Sequence, residues 1–356
     1  MLIMGLESSC DETAVAIVKD SQNINKRIVS NVIFSQIDEH QPFGGVVPEI
    51  AARSHLEHFD NLINQAIETA GVSLDQIDGI AATGGPGLIG GVIVGVMYGK
   101  SIASAKKKPF FAVNHLEGHA LTVRLCDNVN FPYLLLLVSG GHCQLLIAEG
   151  IGQYKRLGTT LDDALGESYD KCAKMLGLGY PGGPIVEKFA KNGDGARYSF
   201  PRPMLGRKEC NFSFSGLKTA VRRQIEKIGP DQLNNQVIAD ICASFERAVG
   251  DVLLDRCQNA INQFKKYYRG QVTLVIAGGV AANNALRIRL NDLKVRENII
   301  LKIPPADLCT DNAAMIAWAG IEYARIGKSN ALDFKPRPRW PLDPDASKAI
   351  GAGIKA

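Results

Sequence analysis

The stretch Asn114-His115-Leu116-Glu117-Gly118-His119 concentrates the chemistry of this chain. Two imidazoles four positions apart fall on one helix face, one turn apart. At that spacing two neutral imidazoles can grip one divalent transition metal. A pair of partly buried helical histidines with no ligand would show the same spacing. Only six histidines occur in the chain, so finding two of them in this pattern carries weight. A zinc peptidase would place a general-base Glu directly after the first His, as H-E-x-x-H. Here Glu117 stands two positions after His115, about 200° around the helix from it. The pair therefore points to a metal and away from that peptidase chemistry.

Other acids have two readings each. Thr310-Asp311-Asn312 precedes the alanine-rich run 313–324, and Gly327 follows it. That is a start signal and a stop signal for a helix, so spacing alone makes Asp311 as much a cap as a ligand. Asp11 and Glu12 lie in a turn near the N-terminus, where they could handle protons, cap the turn or order water near a metal. Asp162, Asp163, Glu167 and Asp170 share helical spacing, which suits a solvated face near a helix N-terminus. Cys10 reads as a structural thiol.

The elements that must position these residues are αβ units. Residues 2–6 read as a strand, 7–13 as a polar turn and 14–18 as a second strand. The pattern returns at 133–138, Ser139-Gly140-Gly141-His142 and 144–148, which suggests an internal duplication. Residues 80–87 and 272–284 add two strand–glycine-turn–helix units. None carries G-x-x-x-x-G-K-[ST] or a full G-x-G-x-x-G, so neither standard nucleotide fingerprint applies. Glycine turns after buried strands can still cradle phosphate with backbone N–H groups, though ordinary αβ loops look the same. Gly87, Gly91, Gly95 and Gly99, then Ala103, make a smooth stripe on a helix, which is expected to lie buried between two layers. Val237, Ile238, Ile241, Cys242, Phe245, Val249, Val252 and Leu253 form the core face of a long helix.

Composition bounds the rest. The 356 residues suffice for two domains, and a hydrophobic content of 46% fits a globular protein. A net charge of +4 permits an anionic partner without requiring one. The apolar run 88–98 is too short for a membrane span. No basic n-region opens the chain and no Cys-x-x-Cys occurs among its eight cysteines, so the expectation is a cytoplasmic protein with reduced thiols and no membrane partner. Basic residues at 106–108, Arg202 with Arg207-Lys208, Lys218 with Arg222-Arg223, and Lys265-Lys266 with Arg269 are candidates for phosphate contacts, or simply solvated faces.

Taken together, ten segments resemble one family. They are Gly5-Leu6-Glu7-Ser8-Ser9-Cys10-Asp11-Glu12-Thr13, Gly44-Gly45-Val46-Val47-Pro48-Glu49, Gly85-Pro86-Gly87-Leu88 and His115-Leu116-Glu117-Gly118-His119. Then come Leu137-Val138-Ser139-Gly140-Gly141-His142, Tyr180-Pro181-Gly182-Gly183-Pro184, Phe212-Ser213-Phe214-Ser215-Gly216-Leu217-Lys218 and Ala277-Gly278-Gly279-Val280. Cys309-Thr310-Asp311-Asn312 and Arg337-Pro338-Arg339-Trp340 complete the set. Over roughly residues 1–342 the chain resembles the tRNA threonylcarbamoyladenosine biosynthesis transferases (the TsaD family), formerly called O-sialoglycoprotein endopeptidases.

The resemblance implies an α/β, two-lobed actin/hexokinase/Hsp70-like fold, with an N-terminal lobe over residues 1–115 completed by about 312–342 and a C-terminal lobe over 116–311; residues 343–356, which lack an apolar period, are expected as a loose tail. It implies transfer of a threonylcarbamoyl group from threonylcarbamoyl-AMP to the exocyclic amine of the adenosine beside the anticodon in tRNAs reading ANN codons. His115, His119 and Asp311 match the family's metal ligands, for iron in the usual description, with zinc or magnesium chemically admissible. Leu137, Val138, Ser139, Gly140 and Gly141 match its phosphate-side loop. Asp170 and Glu187 match contacts to ribose hydroxyls, and Gly183 and Asn283 contacts to the nucleoside. Asp11 and Glu12 are the candidates for proton transfer. Leu137 stands where the archaeal and eukaryotic branch has an extra Tyr ligand, which indicates the bacterial-type branch. The implied partners are tRNA, an inactive paralogue of the same fold (TsaB-like) and a small ATPase (TsaE-like). A metallopeptidase, a non-enzymatic scaffold and a kinase of the same fold are the competing readings.

Overall fold

The computed structural model describes residues 1–347. Of the segment expected as a loose tail, residues 348–356 lie outside the described residues. The chain divides into two compact units. One comprises Met1–Asn130, Gly150–Gln153 and Pro304–Pro344; the other comprises Phe131–Glu149, Tyr154–Ile303 and the residues from Asp345.

The first unit is built on a five-stranded sheet in the order β3-β2-β1-β4-β5. Its strands are β1 (Leu2–Glu7), β2 (Glu12–Lys19), β3 (Ile28–Ser35), β4 (Gly79–Gly85) and β5 (Phe110–Asn114). β1 pairs antiparallel with β2, with Glu7 opposite Ala14, and parallel with β4, with Gly5 opposite Ala81. Buried on both faces, β1 and β4 read as nearly continuous apolar or small-residue runs. Alternation sends Met4 and Leu6 into a core with Phe59, Leu62, Val92 and Val96 from the helices Pro48–Ala70 and Ile89–Lys106. Gly5 faces the opposite side, where the helix Ala313–Arg325 comes so close that a Cβ on it would stand 2.3 Å from the Ala313 carbonyl.

The glycine-striped helix departs from expectation. Gly91, Gly95, Gly99 and Ala103 are buried, but Ile89, Ile93 and Met97 are 46%, 45% and 53% exposed. One side only is packed: the glycines, with Val92 and Val96, lie against the turn after β1, β4 and the helix Pro48–Ala70, and the opposite side meets solvent. A Cβ on Gly91 would lie 2.3 Å from the Ser8 carbonyl oxygen, and one on Gly95 2.2 Å from Ser8 Oγ. Ser8 Oγ donates to the Gly91 carbonyl at 2.9 Å, so the missing side chains let the turn seat directly on the helix backbone.

The second unit repeats the plan. Its strands are β6 (Tyr133–Val138), β7 (Cys143–Gly150), β8 (Gln153–Thr159), β9 (Thr273–Ala277) and β10 (Ile300–Lys302), in the order β10-β9-β6-β7-β8. As in the first sheet, the first strand pairs antiparallel with the second and parallel with the fourth. The two hairpins are thus the openings of duplicated sheets. The long helix Asn235–Tyr267 buries Ile238, Ile241, Cys242, Phe245, Val249, Val252 and Leu253 as its spacing predicts, while Val237 is only half-buried.

The boundary expected after residue 115 falls instead after Asn130, and the chain returns at Pro304. The helix His115–Asp127 is the reason. It buries Leu116, Ala120, Leu121 and Val123, and Arg124 Nε donates to Glu322 Oε1 of the helix Ala313–Arg325 at 2.9 Å. Gly118 Cβ would sit 2.9 Å from Ile316. All three expected metal ligands accordingly belong to one unit.

Replacing Gly91 by Val should lower the unfolding free energy by about 1–3 kcal/mol, because the new side chain meets backbone that cannot rotate away. The check is a fall in the urea midpoint at unchanged m-value.

Candidate functional site

β5 ends at Asn114, whose Oδ1 accepts from Leu116 N at 3.0 Å and so caps the next helix. His115 is the first residue of that helix and His119 sits one turn on. Their rings lie 4.8 Å apart, edge to face, and both are buried. Asp311 precedes the other helix that matters here, but the cap of that helix is Asn312, whose Oδ1 accepts from Met315 N at 3.1 Å. Relieved of capping, Asp311 directs Oδ1 at the imidazoles, 3.0 Å from His119 Nε2 and 3.5 Å from His115 Nε2. The three ligand atoms fall within 4.8 Å of one another. Atoms each about 2.1 Å from one metal stand about 3–4 Å apart; Asp311 Oδ1 already has that spacing to both imidazoles, while the 4.8 Å span of the set must shorten by several tenths of an ångström to close on one divalent cation.

Glu7, at the end of β1, completes the arrangement. It is fully buried, and its Oε2 lies 3.0 Å from His115 Nδ1 and accepts from Thr83 Oγ1 at 2.6 Å. Its Oε1 accepts from Ser9 N at 2.6 Å. An Nδ1–H donated to Glu7 leaves the Nε2 lone pair of His115 for a metal, the usual way an outer carboxylate fixes a ligand's tautomer. Burial presses the Glu7 pKa upward, but the charge and hydrogen bond of His115 more than offset it and hold this carboxyl below its usual range. Burial presses His115 downward, while Asp311 and Glu7 outweigh it and raise its pKa to about 9. Without a cation, His115 therefore carries a proton at neutral pH. Glu12 is pushed well above the carboxylate range by burial, then by the charges of Asp311 and Asp11. Asp11 is buried and its carbonyl accepts from Gln36 N at 3.0 Å.

Glu117 is committed elsewhere. It is only 2% exposed; its Oε1 accepts from Gly152 N at 2.6 Å and its Oε2 accepts from the Tyr323 hydroxyl. A carboxylate tied to a β-turn and a tyrosine is no general base for a metal-bound water.

In the second unit, Leu137 and Val138 are buried inside β6, so only their main chain can meet a ligand. Ser139 closes the β6–β7 turn, its N donating to the His142 carbonyl at 2.8 Å. Gly140 and Gly141 are exposed, and nothing lies within 4 Å of where their Cβ atoms would be. Asp170 Oδ1 accepts from Gly182 N at 2.8 Å, next to Gly183, which opens onto free space. On the same helix as Gly183, Glu187 Oε1 accepts from Asn284 N and Nδ2, both at 3.1 Å. Asn283 Oδ1 caps the helix Asn284–Glu297 and its Nδ2 donates to Glu246 Oε1 at 2.8 Å. The structure thus joins Asp170, Gly183, Glu187 and Asn283 through adjacent contacts. Glu246, a buried carboxyl with its pKa raised mainly by burial, is a member that sequence reasoning missed. The one available signal was an acid inside the apolar face of the long helix.

The chain is similar to several known proteins. T. kodakarensis HypF matches 91% of this chain and 48% of its own, with a TM-score of 0.59 at 14% identity. That likeness and the duplicated sheets define an actin/hexokinase/Hsp70-like fold. The TsaD family model, described as tRNA N6-adenosine threonylcarbamoyltransferase, matches residues 27–318. The protein of that description from Rhodospirillum rubrum is 59% identical over 356 residues, covering 99% of this chain and 98% of its own. Its counterpart in Paramagnetospirillum magneticum is 58% identical over 352 residues, covering 99% and 100%. The chain belongs to the TsaD family and is a transferase that modifies adenosine N6 in tRNA.

Two outcomes follow from the Glu7–His115 pair. Glu7→Gln should weaken divalent-metal binding about 10–100-fold, as loss of an outer-shell carboxylate does, measured by titration calorimetry on the folded protein. The pKa of His115 is higher folded than unfolded, so its contribution to metal-free stability is complete below about pH 6.5 and disappears as pH rises through about 9. Thermal unfolding of chelator-treated protein should show that decline, and His115→Gln should flatten it.

Proposed function

We propose that the group donor is threonylcarbamoyl-AMP, that the acceptor is the adenosine beside the anticodon in tRNAs reading ANN codons, and that a divalent metal held by His115, His119 and Asp311 assists the transfer. The observation that carries this reading is the meeting of two imidazoles and a carboxylate in a chain of this family. Such a set suits iron, zinc or magnesium to different degrees, iron being our first choice. When bound, the metal supplies a Lewis acid for a phosphate oxygen of the departing AMP.

The chain's own residues do the rest. The amides of Gly140 and Gly141 are the proposed donors to phosphate, with the Ser139 hydroxyl beside them, since the Ser139 amide is engaged by the His142 carbonyl. The glycines offer theirs unshielded by side chains. Asp170 and Glu187 would receive ribose hydroxyls, and Gly183 and Asn283 the nucleoside. The adenosine amine attacks the carbonyl carbon, the bond from that carbon to the AMP oxygen breaks, and the amine proton must leave. Asp11 and Glu12 are the groups proposed to take it. Burial, then the charges of Asp311 and Asp11, raise the affinity of the Glu12 carboxylate for a proton. An exocyclic aromatic amine is a weak nucleophile, so holding donor and acceptor in line supplies much of the rate.

A TsaB-like paralogue and a TsaE-like ATPase are the proposed protein partners, and the cytosol the proposed site of action. Among the described residues no helix is long and apolar enough to cross a membrane. The peptidase reading is disfavoured by the engagement of Glu117.

His119→Ala should lose bound metal and cut tRNA modification by more than about 100-fold while far-UV circular dichroism stays unchanged. The assay is mass spectrometry of nucleosides after incubation with tRNA, threonine, bicarbonate, ATP and the partner proteins. Full modification by this variant would remove the metal from the mechanism.

A further inference from the structure

The segment Arg337-Pro338-Arg339-Trp340 stands out in the sequence and takes no part in the site described above. With Lys335 it forms the run Lys335-Pro336-Arg337-Pro338-Arg339, cations alternating with prolines. All three cations are exposed, and among the described residues none forms an ion pair. The acids nearest in sequence, Asp333 and Asp343, lie beyond the two ends of the run. Arg337 instead lies over Trp340, 4.6 Å from the ring centroid, and 5.3 Å from that of Phe334. A guanidinium stacked on an aromatic face keeps the donors around its edge available and is preorganised for a bidentate oxyanion.

This strap is pinned along its backbone. Arg337 N donates to the Gly84 carbonyl at 2.8 Å, and Gly87 N to the Pro338 carbonyl at 3.4 Å. Lys100 Nζ donates to the Phe334 carbonyl. Any side chain at Gly85 would collide with the strap, since a Cβ there falls 1.7 Å from the Arg337 carbonyl oxygen, and φ is +127°. Asn114 supplies the remaining anchor: its Nδ2 donates to the Trp340 carbonyl at 2.9 Å, while its Oδ1 caps the helix that begins with His115. One side chain thus ties the strap to the metal-ligand helix.

We propose that Lys335, Arg337 and Arg339 receive the sugar–phosphate backbone of the tRNA substrate close to the reacting adenosine. The proposal rests on the tRNA-modifying activity of the family and names the surface that would hold that substrate. Charge complementarity is the argument: three unpaired cations on a rigid backbone, beside an aromatic ring, meet a polyanion at little ordering cost.

The test is tRNA affinity of the metal-loaded full chain, together with whatever protein partners modification requires, measured across a salt series. The variant Lys335→Ala/Arg337→Ala/Arg339→Ala should bind tRNA about 10–100-fold more weakly and flatten the dependence of log K on log [salt] by about 2–3. Arg337→Lys should keep most of the salt dependence, because the charge remains. Metal content and binding of a threonylcarbamoyl-AMP analogue should be unchanged, which separates this proposal from a failure of the wider functional reading. Unchanged tRNA affinity and salt slope would overturn it. So would an equal loss in the control Lys294→Ala/Arg296→Ala, which would indicate a general charge effect. Loss of tRNA binding only together with metal, or loss of binding to an acidic protein partner with tRNA binding intact, would also overturn it.

Discussion

The structure of the site depends on one carboxylate, that of Asp311, directed at two buried imidazoles. Each participant is placed by something that has already met its own hydrogen-bonding needs. Asn312 takes over the helix cap and so frees Asp311. Asn114 caps the helix that presents both histidines. Glu7 orients His115 and is itself held by Thr83 and Ser9. A buried ionic cluster persists only when its lone pairs and protons are matched in this way, and removing one member leaves the others exposed to the full desolvation penalty.

The second requirement is steric. The turn carrying Ser8 to Asp11 reaches His115, with Ser9 Oγ 3.1 Å from its Nδ1, because the helix beside it offers glycine. That absence of side chains costs helix stability, roughly 1 kcal/mol per interior glycine, and the structure offsets it by seating a polar turn on bare backbone. The same logic governs Gly85, where the strap passes closer than any Cβ would allow.

Much of this was legible in the sequence. The His115/His119 spacing, the two hairpins and the long amphipathic helix register as local periodicities, and the structure realises them as read. Asp311 was ambiguous because cap and ligand look alike at a helix start; the decision lay in its neighbour Asn312. Glu7 was illegible, since a single acid at the end of an apolar strand gives no periodic signal and its partner is 108 positions away. The glycine stripe showed close approach correctly but not from how many sides, so the exposed Ile89, Ile93 and Met97 were unforeseen. The extent of the first compact unit, to Asn130, was not legible locally, because it depends on Leu116, Leu121 and Arg124 fastening the helix His115–Asp127 to residues far along the chain. Glu246 and the contact between Glu187 and Asn284 depend on tertiary placement and left almost no trace.

Asn312 also fixes where the positive end of the Ala313–Arg325 helix dipole points, and Asp311 lies one residue before it. An anion already steadied by peptide dipoles gives less of its electron density to whatever else it touches. A cation held there would be left more electron-poor, and a harder pull on oxygen ligands would follow from a feature that looks, in the chain, like an ordinary place to start a helix.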